Sequence, residues 1–309
     1  MLVDAETHAL APGVERLLGP DGLKTELFSC LVETNTPVCE TPAEALEELV
    51  RLRAVVAGAA ANEGLALAGA GSHPFSRAED QEIVREPRYL RMLEELGPKL
   101  RRQLVCGLHV HVGMASFDGC LRTLDAVVPW LPSVLALSVN SPYMNGEDTG
   151  ALSGRAARLG ELPRGAEPPS FASPEDWEAQ IEATGEDYTR SWWDARPHPR
   201  LGTLEVRIAD QPTRVERSAA LAALVQALCV AAPGALSPGP EGYLERRRAA
   251  ARGELPADGV LELVEPAARE LGTWELVETL SAPVEALRQL ETGRRDGLAA
   301  VAADLVARS

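Results

Sequence analysis

A chain of 309 residues, 45% of them hydrophobic, can bury a substantial core as one large domain or two smaller ones. Its formal charge of −16 argues against general binding to nucleic acid or to an anionic membrane, which needs a basic footprint. The charge leaves room for a nucleotide substrate, whose phosphates are met by a few local arginines and metal ions.

The five cysteines (Cys30, Cys39, Cys106, Cys120 and Cys229) are scattered, with no Cys-x-x-Cys, which fits reduced thiols in a cytoplasmic protein. With no run of about 18 apolar residues and no basic-then-apolar start, neither a membrane span nor a signal peptide is expected.

Residues 24–34 read as a strand that ends in the turn around Asn35-Thr36-Pro37. A helix follows, with Thr41 as N-cap, Pro42 in its first turn and Glu44 completing a capping box. Leu46, Leu49, Val50, Leu52, Val55 and Val56 form its apolar stripe. Leu65 to Ala70 reads as a short strand, and 78–103 as a charged helical stretch broken near Pro87.

Cys106-Gly107-Leu108-His109-Val110-His111-Val112-Gly113 then alternates as a strand, which puts His109 and His111 on one face. Leu104, Cys106, Leu108, Val110 and Val112 point the other way, into a core. An apolar stretch at 119–139 is interrupted by Pro129 and Pro132. Residues 140–174 are rich in Gly and Pro, carry Arg155, Arg158 and Arg164, and read as an irregular binding loop or lid.

Asp176 to Glu182 suits a short helix. Leu201 to Asp210 alternates as a strand, with Thr203, Glu205 and Arg207 on one face and Leu204, Val206 and Ile208 on the other. The remainder, 214–309, reads as helices with breaks at Pro233 to Pro240 and around Pro256. No internal repeat and no linker is visible, so the expectation is a single domain over 1–309. Its fold class is α+β with the helices segregated.

Three strands thus carry charged or metal-competent groups on one face: Glu33 or Glu26, His109 with His111, and Glu205 with Arg207. Buried charges are costly, so such an accumulation points to a site. Carboxylates and His can hold a hard divalent cation, and an adjacent Arg can hold phosphate or carboxylate. Glu26 and Glu33 are an odd number of residues apart, so a regular strand aims them oppositely; Glu33, beside the turn, is the one expected to face the site. A competing chemistry is a zinc hydrolase built on His109 and His111 with Glu205 and Asp210.

GLHVHVG at 107–113, NSPYMNGEDTGALSGRA at 140–156 and WWDARPHPRLGTLEVRIADQPT at 192–213 resemble the signature segments of the type 2 glutamate–cysteine ligase family. LVDAETHALAP at 2–12 and ELFSCLVETNTPV at 26–38 agree in order and spacing. These are bacterial carboxylate–amine ligases distantly related to glutamine synthetase.

The resemblance implies a curved, mostly antiparallel sheet whose concave face holds the active site, with helices on its other face. It also implies ATP and magnesium, and ligation of the glutamate side chain to an amine, cysteine by default, through an acyl phosphate. Carried over by position, Glu33, His109 and Glu205 would contact metal or nucleotide phosphate. Arg207 and Arg155 would meet phosphate or the substrate carboxylate, while Trp192, Trp193 and Arg196 would shape the wall of the nucleotide or amine pocket. His111 would orient His109 or floor the site.

Two departures stand out. Family members carry a Gly-Val-Glu-Glu-Glu-Phe strand just before Leu2-Val3-Asp4, where this sequence has Met1. The resemblance therefore implies a start assigned too far downstream, or a metal site short of carboxylates with reduced or absent activity. An edge left unpaired in this way would favour a homodimer. Tyr243 to Arg252 also replaces the usual Asn-Arg-Trp-Arg-Ala pattern, which bears on the C-terminal side of the pocket.

Overall fold

The computed structural model of the chain describes residues 1–19, 22–239 and 242–309. The first part begins with β1 (Leu2–Asp4), α1 (Val14–Leu17), β2 (Leu23–Thr25) and β3 (Val32–Thr34). The stretch 24–34 is therefore not one strand: β2 and β3 pair antiparallel, with Lys24 opposite Glu33, and Glu26 to Leu31 lie between them. The odd spacing of Glu26 and Glu33 has its physical reason in that reversal.

Next comes α2 (Pro42–Asn62), in which the Thr41 hydroxyl accepts from the Glu44 N–H and the Glu44 carboxylate accepts from the Glu40 N–H. Leu52, Val56 and Ala60 face inward, while Val50 leaves the expected stripe and is exposed. β4 (Leu65–Leu67) pairs antiparallel with β1. Pro87 starts a helix rather than breaking one: α3 (Pro87–Leu96) and α4 (Pro98–Arg101) both carry proline in their first turn.

β5 (Val110–Gly113) precedes α5 (Phe117–Val127) and α6 (Leu131–Ser138), which are joined by a 3₁₀ turn containing Pro129. The stretch at 140–174 is irregular over most of its length, as expected, but its first half is built into the fold. It holds the hairpin β6 (Tyr143–Met144) and β7 (Glu147–Asp148) and then α7 (Gly154–Leu159), with Asn140, Ser141, Ser153 and Arg155 buried. Asn145 and Gly146 take positive φ at the hairpin turn, the geometry that makes Asn-Gly a hairpin signal.

α8 (Pro174–Ala183) is capped by Ser173. β8 (Ala195–His198) and β9 (Thr203–Val206) follow, and the sheet order is β5-β9-β8, antiparallel throughout. The helical remainder is α9 (Val215–Ala231), α10 (Tyr243–Arg252), α11 (Asp258–Glu270), α12 (Trp274–Glu278), α13 (Glu285–Asp296) and α14 (Leu298–Arg308). Within the expected break at 233–240, Pro233 lies in a 3₁₀ turn and Pro240 falls outside the described residues.

The fold is mixed α/β, with antiparallel strand pairs and a helical C-terminal part. Further backbone bonds join the short ladders side by side. Leu2 N–H donates to Cys30 O, Ala68 N–H to Met1 O, Cys106 N–H to Gly71 O and Leu108 N–H to Ala209 O.

One apolar cluster gathers α5, α6, α9 and the inner faces of β5, β8 and β9. A second gathers β1, β4, α2 and α14, and Leu152 packs against both. Phe117–Ser138 and Val215–Gly234 are in fact long and apolar enough by composition to cross a membrane, contrary to the expectation that no such run exists. In each, 61% of the apolar window is packed inside the protein, as in core helices.

Candidate active site

Glu205 sits on β9, the middle strand of three, and is 2% exposed. Register puts His111 of β5 directly opposite it on one side and Arg196 of β8 on the other. Period two does the rest: Leu204, Val206 and Ile208 enter the core, and Glu205 shares the opposite face with Thr203. Arg196 Nε donates to Glu205 Oε2 at 2.7 Å, and Arg207 donates to Oε1 at 2.5 Å. His109 Nδ1 lies 3.5 Å and His111 Nε2 3.8 Å from Oε1, so both imidazoles approach the same oxygen, as their shared face predicted.

These contacts set the charges. Burial alone would raise the Glu205 carboxyl, but the Arg207 and Arg196 guanidiniums outweigh it and hold the group well below its ordinary range. His109 is pushed well down by burial and then by Arg207, so it is neutral near pH 7. Its side chain is nevertheless 38% open to solvent. With His109 neutral, two guanidiniums face one carboxylate, and the cluster is net positive.

The acidic residue brought toward this cluster from the N-terminal part is Glu26. Burial pushes its carboxyl up, Glu33 adds to the rise, and Arg207 opposes it from within electrostatic reach. Glu33, the residue favoured from sequence, stays on β3 and accepts from Asn35 Nδ2 at 3.0 Å. Trp193 is buried in the apolar core, edge-on to Phe171, and Trp192 is half-buried beside it.

Arg155 and Asp210 occupy a layer beneath. Arg155 is buried and spends its guanidinium on backbone, donating to Arg207 O at 2.9 Å and Ile208 O at 3.0 Å. A Cβ on Gly107 would collide with that guanidinium, so the first glycine of the motif is the floor on which Arg155 lies. Asp210 accepts from Asn140 N–H, Ser141 Oγ and Ser153 Oγ and has Arg155 3.8 Å away. Its oxygens accept from Asn140, Ser141 and Ser153, so the competing zinc arrangement with His109 and His111 is not assembled among the described residues.

A part that sequence reasoning missed lies alongside. Asp194, just before β8, accepts from Arg247 Nε at 2.6 Å, from Arg247 through its second arm at 3.0 Å, and from the Tyr243 hydroxyl at 2.7 Å. All three residues are buried. Tyr243 and Arg247 stand four apart on α10, the segment in which the sequence showed only a departure. The readable signal was an inward Tyr and Arg on an alanine-rich helix.

The donor set does not fit a magnesium cage. Among the described residues, no group of three or more His, Cys, Asp or Glu side chains is placed to hold a metal ion. Both Glu205 oxygens already accept from arginine, and Glu33 does not join His109 and Glu205.

The family model of glutamate–cysteine ligase family 2 matches residues 2–294. The chain belongs to that family. Among relatives of the glutamate–cysteine ligase family, "Putative glutamate--cysteine ligase 2-3" of Rubrobacter xylanophilus is 42% identical over 243 residues, which cover 75% of this chain and 67% of the relative. "Putative glutamate--cysteine ligase 2" of Herpetosiphon aurantiacus is 38% identical over 240 residues, covering 74% of this chain and 62% of the relative. The protein of that name from Roseiflexus sp. is also 38% identical over 240 residues, with 74% and 63% covered. The matched part of the chain thus spans about two thirds or less of these relatives.

Proposed function

We propose that this chain is an ATP-dependent carboxylate–amine ligase that joins the glutamate side chain to an amine, cysteine by default, in the cytoplasm. The observation that supports it best is the net-positive cluster built on Glu205, open to solvent at His109, within a ligase-family chain. A carboxylate is a poor electrophile. Transfer of the terminal phosphoryl of ATP to one of its oxygens releases ADP and supplies a leaving group. The amine nitrogen then attacks the carbonyl carbon, phosphate departs with the C–O bonding pair, and the nitrogen gives up one proton.

The residues divide this work. Arg207 binds Glu205 with one arm and is 15% exposed, so its free donors suit an anionic oxygen of phosphate or of the substrate carboxylate. Arg196 is held by Thr189 O, Ser191 O and Glu205, and fixes Glu205 from the far side. Glu205 keeps both guanidiniums oriented without cancelling their charge. His109 adds a neutral polar group beside Glu205. No three-donor cluster of side chains forms among the described residues, so magnesium would be held largely by the phosphates of the bound ATP.

The test is ADP release with magnesium–ATP and glutamate, with and without a panel of amines led by cysteine. Release that requires both glutamate and one amine is expected, and Glu205→Gln should reduce it by about a hundredfold or more. Release indifferent to amine, or unchanged in the variant, would overturn the reading. Nucleotide binding without turnover would mark a non-catalytic relative.

A further inference from the structure

The backbone of Arg207 is held at both of its polar atoms. Its N–H donates to Asp194 O at 2.8 Å, and its C=O accepts from Arg155 at 2.9 Å. These two clamps belong to different elements, and one side chain ties them together. Arg247 grips the Asp194 carboxylate with two arms and donates through the third to Ala156 O at 2.8 Å, the residue next to Arg155 on α7. The C-terminal end of α10 is docked on the same segment, since Leu152 N–H and Ser153 N–H both donate to Ala251 O. A planar guanidinium with five donors is the side chain that can span a carboxylate and a carbonyl at once.

We propose that Arg247 is a positioning residue for the active site, setting the placement of the Arg207 guanidinium by fixing Asp194 and the start of α7 together. This inference rests on the ligase reading for its kinetic consequence, and on geometry alone for its structural one. Lysine at 247 keeps the charge opposite buried Asp194 but reaches one acceptor at a time, so it loosens both clamps without stranding the carboxylate. Displacements of about 1 Å at a reacting centre cost on the order of tenfold to a hundredfold in rate.

Two readouts test it in the full chain. In arginine-labelled protein, the Nε–Hε NMR signal of Arg207, assigned by its loss in Arg207→Lys, should shift or broaden in Arg247→Lys and stay put in Arg248→Lys. Arg248 is exposed on the other side of α10. An Arg207 signal unmoved by Arg247→Lys would overturn the proposal, whether or not the protein is a ligase.

In the ADP assay, Arg247→Lys should lower kcat about tenfold or more per folded molecule. That loss should largely vanish when Arg207 is already lysine, because the two act through one group. Equal losses in both backgrounds would mean that Arg247 serves stability only. A wild-type protein with no ligase activity, but with the Arg207 signal moved by Arg247→Lys, would sink the ligase reading and keep the positioning role.

Discussion

At the scale of single residues, the same physical quantity, desolvation, has opposite outcomes depending on partners. Glu205 is buried yet stays ionised because two arginines donate to it. His73 is buried without an acid beside it, and burial pushes it down to about 4 from 6.5. Its hydrogen bonds agree with a neutral ring: Nδ1 accepts from Ser76 N–H at 3.1 Å, and Nε2 lies 2.9 Å from His8 O, to which it donates.

A base whose pKa is lowered by folding is protonated first in the unfolded chain. Stability is therefore intact above pH 6.5 and is lost as pH falls toward 4. Urea unfolding should show this loss, up to about 3 kcal/mol at pH 4, and His73→Gln should remove it. A difference between variant and wild type that stays flat from pH 7 to pH 4 would contradict the assignment.

At the scale of elements, the His-x-His strand shows what alternation can and cannot disclose. Its two histidines on one face, its apolar residues on the other and the matching face of the Leu201–Asp210 strand all followed from period two; the structure pairs His111 with Glu205 across β5 and β9, while the strand begins only at Val110, just after His109. The two glycines of the same motif are not equivalent. At Gly107 a Cβ would meet the Arg155 guanidinium, whereas at Gly113 nothing lies within 4 Å.

Gly107→Ala should therefore cost about 1–3 kcal/mol and loosen the grip of Arg155 on Arg207 O. Gly113→Ala should stay within about 0.5 kcal/mol of wild type. Equal effects in urea titrations would refute the role given to Gly107.

What the sequence did not disclose has two causes, a weak local turn signal and distance along the chain. Glu26 was passed over because the reversal between β2 and β3 carries no strong turn signal. Arg155 looked like a phosphate ligand in a loop, and its backbone acceptors lie more than fifty residues away. Arg247 meets Asp194 across fifty-three positions, and no local pattern announces such a pair.

At the scale of the molecule, an acidic chain presents a locally positive site. The net charge is −16, and the arginines at the Glu205 cluster are concentrated on one face of the three-stranded sheet while the helices bury its other face. For the proposed ligase, this would favour binding of anionic substrates at that face of an otherwise acidic chain. The central claim is that a glutamate carboxylate is activated there by phosphorylation.

Isotope transfer tests it most directly. With glutamate carrying ¹⁸O in its side-chain carboxylate, ATP and the accepted amine, each phosphate released should carry one labelled oxygen, because the phosphorylated oxygen leaves with phosphorus. Phosphate free of label alongside amide product would show that the carboxylate was never phosphorylated, and the account would fail.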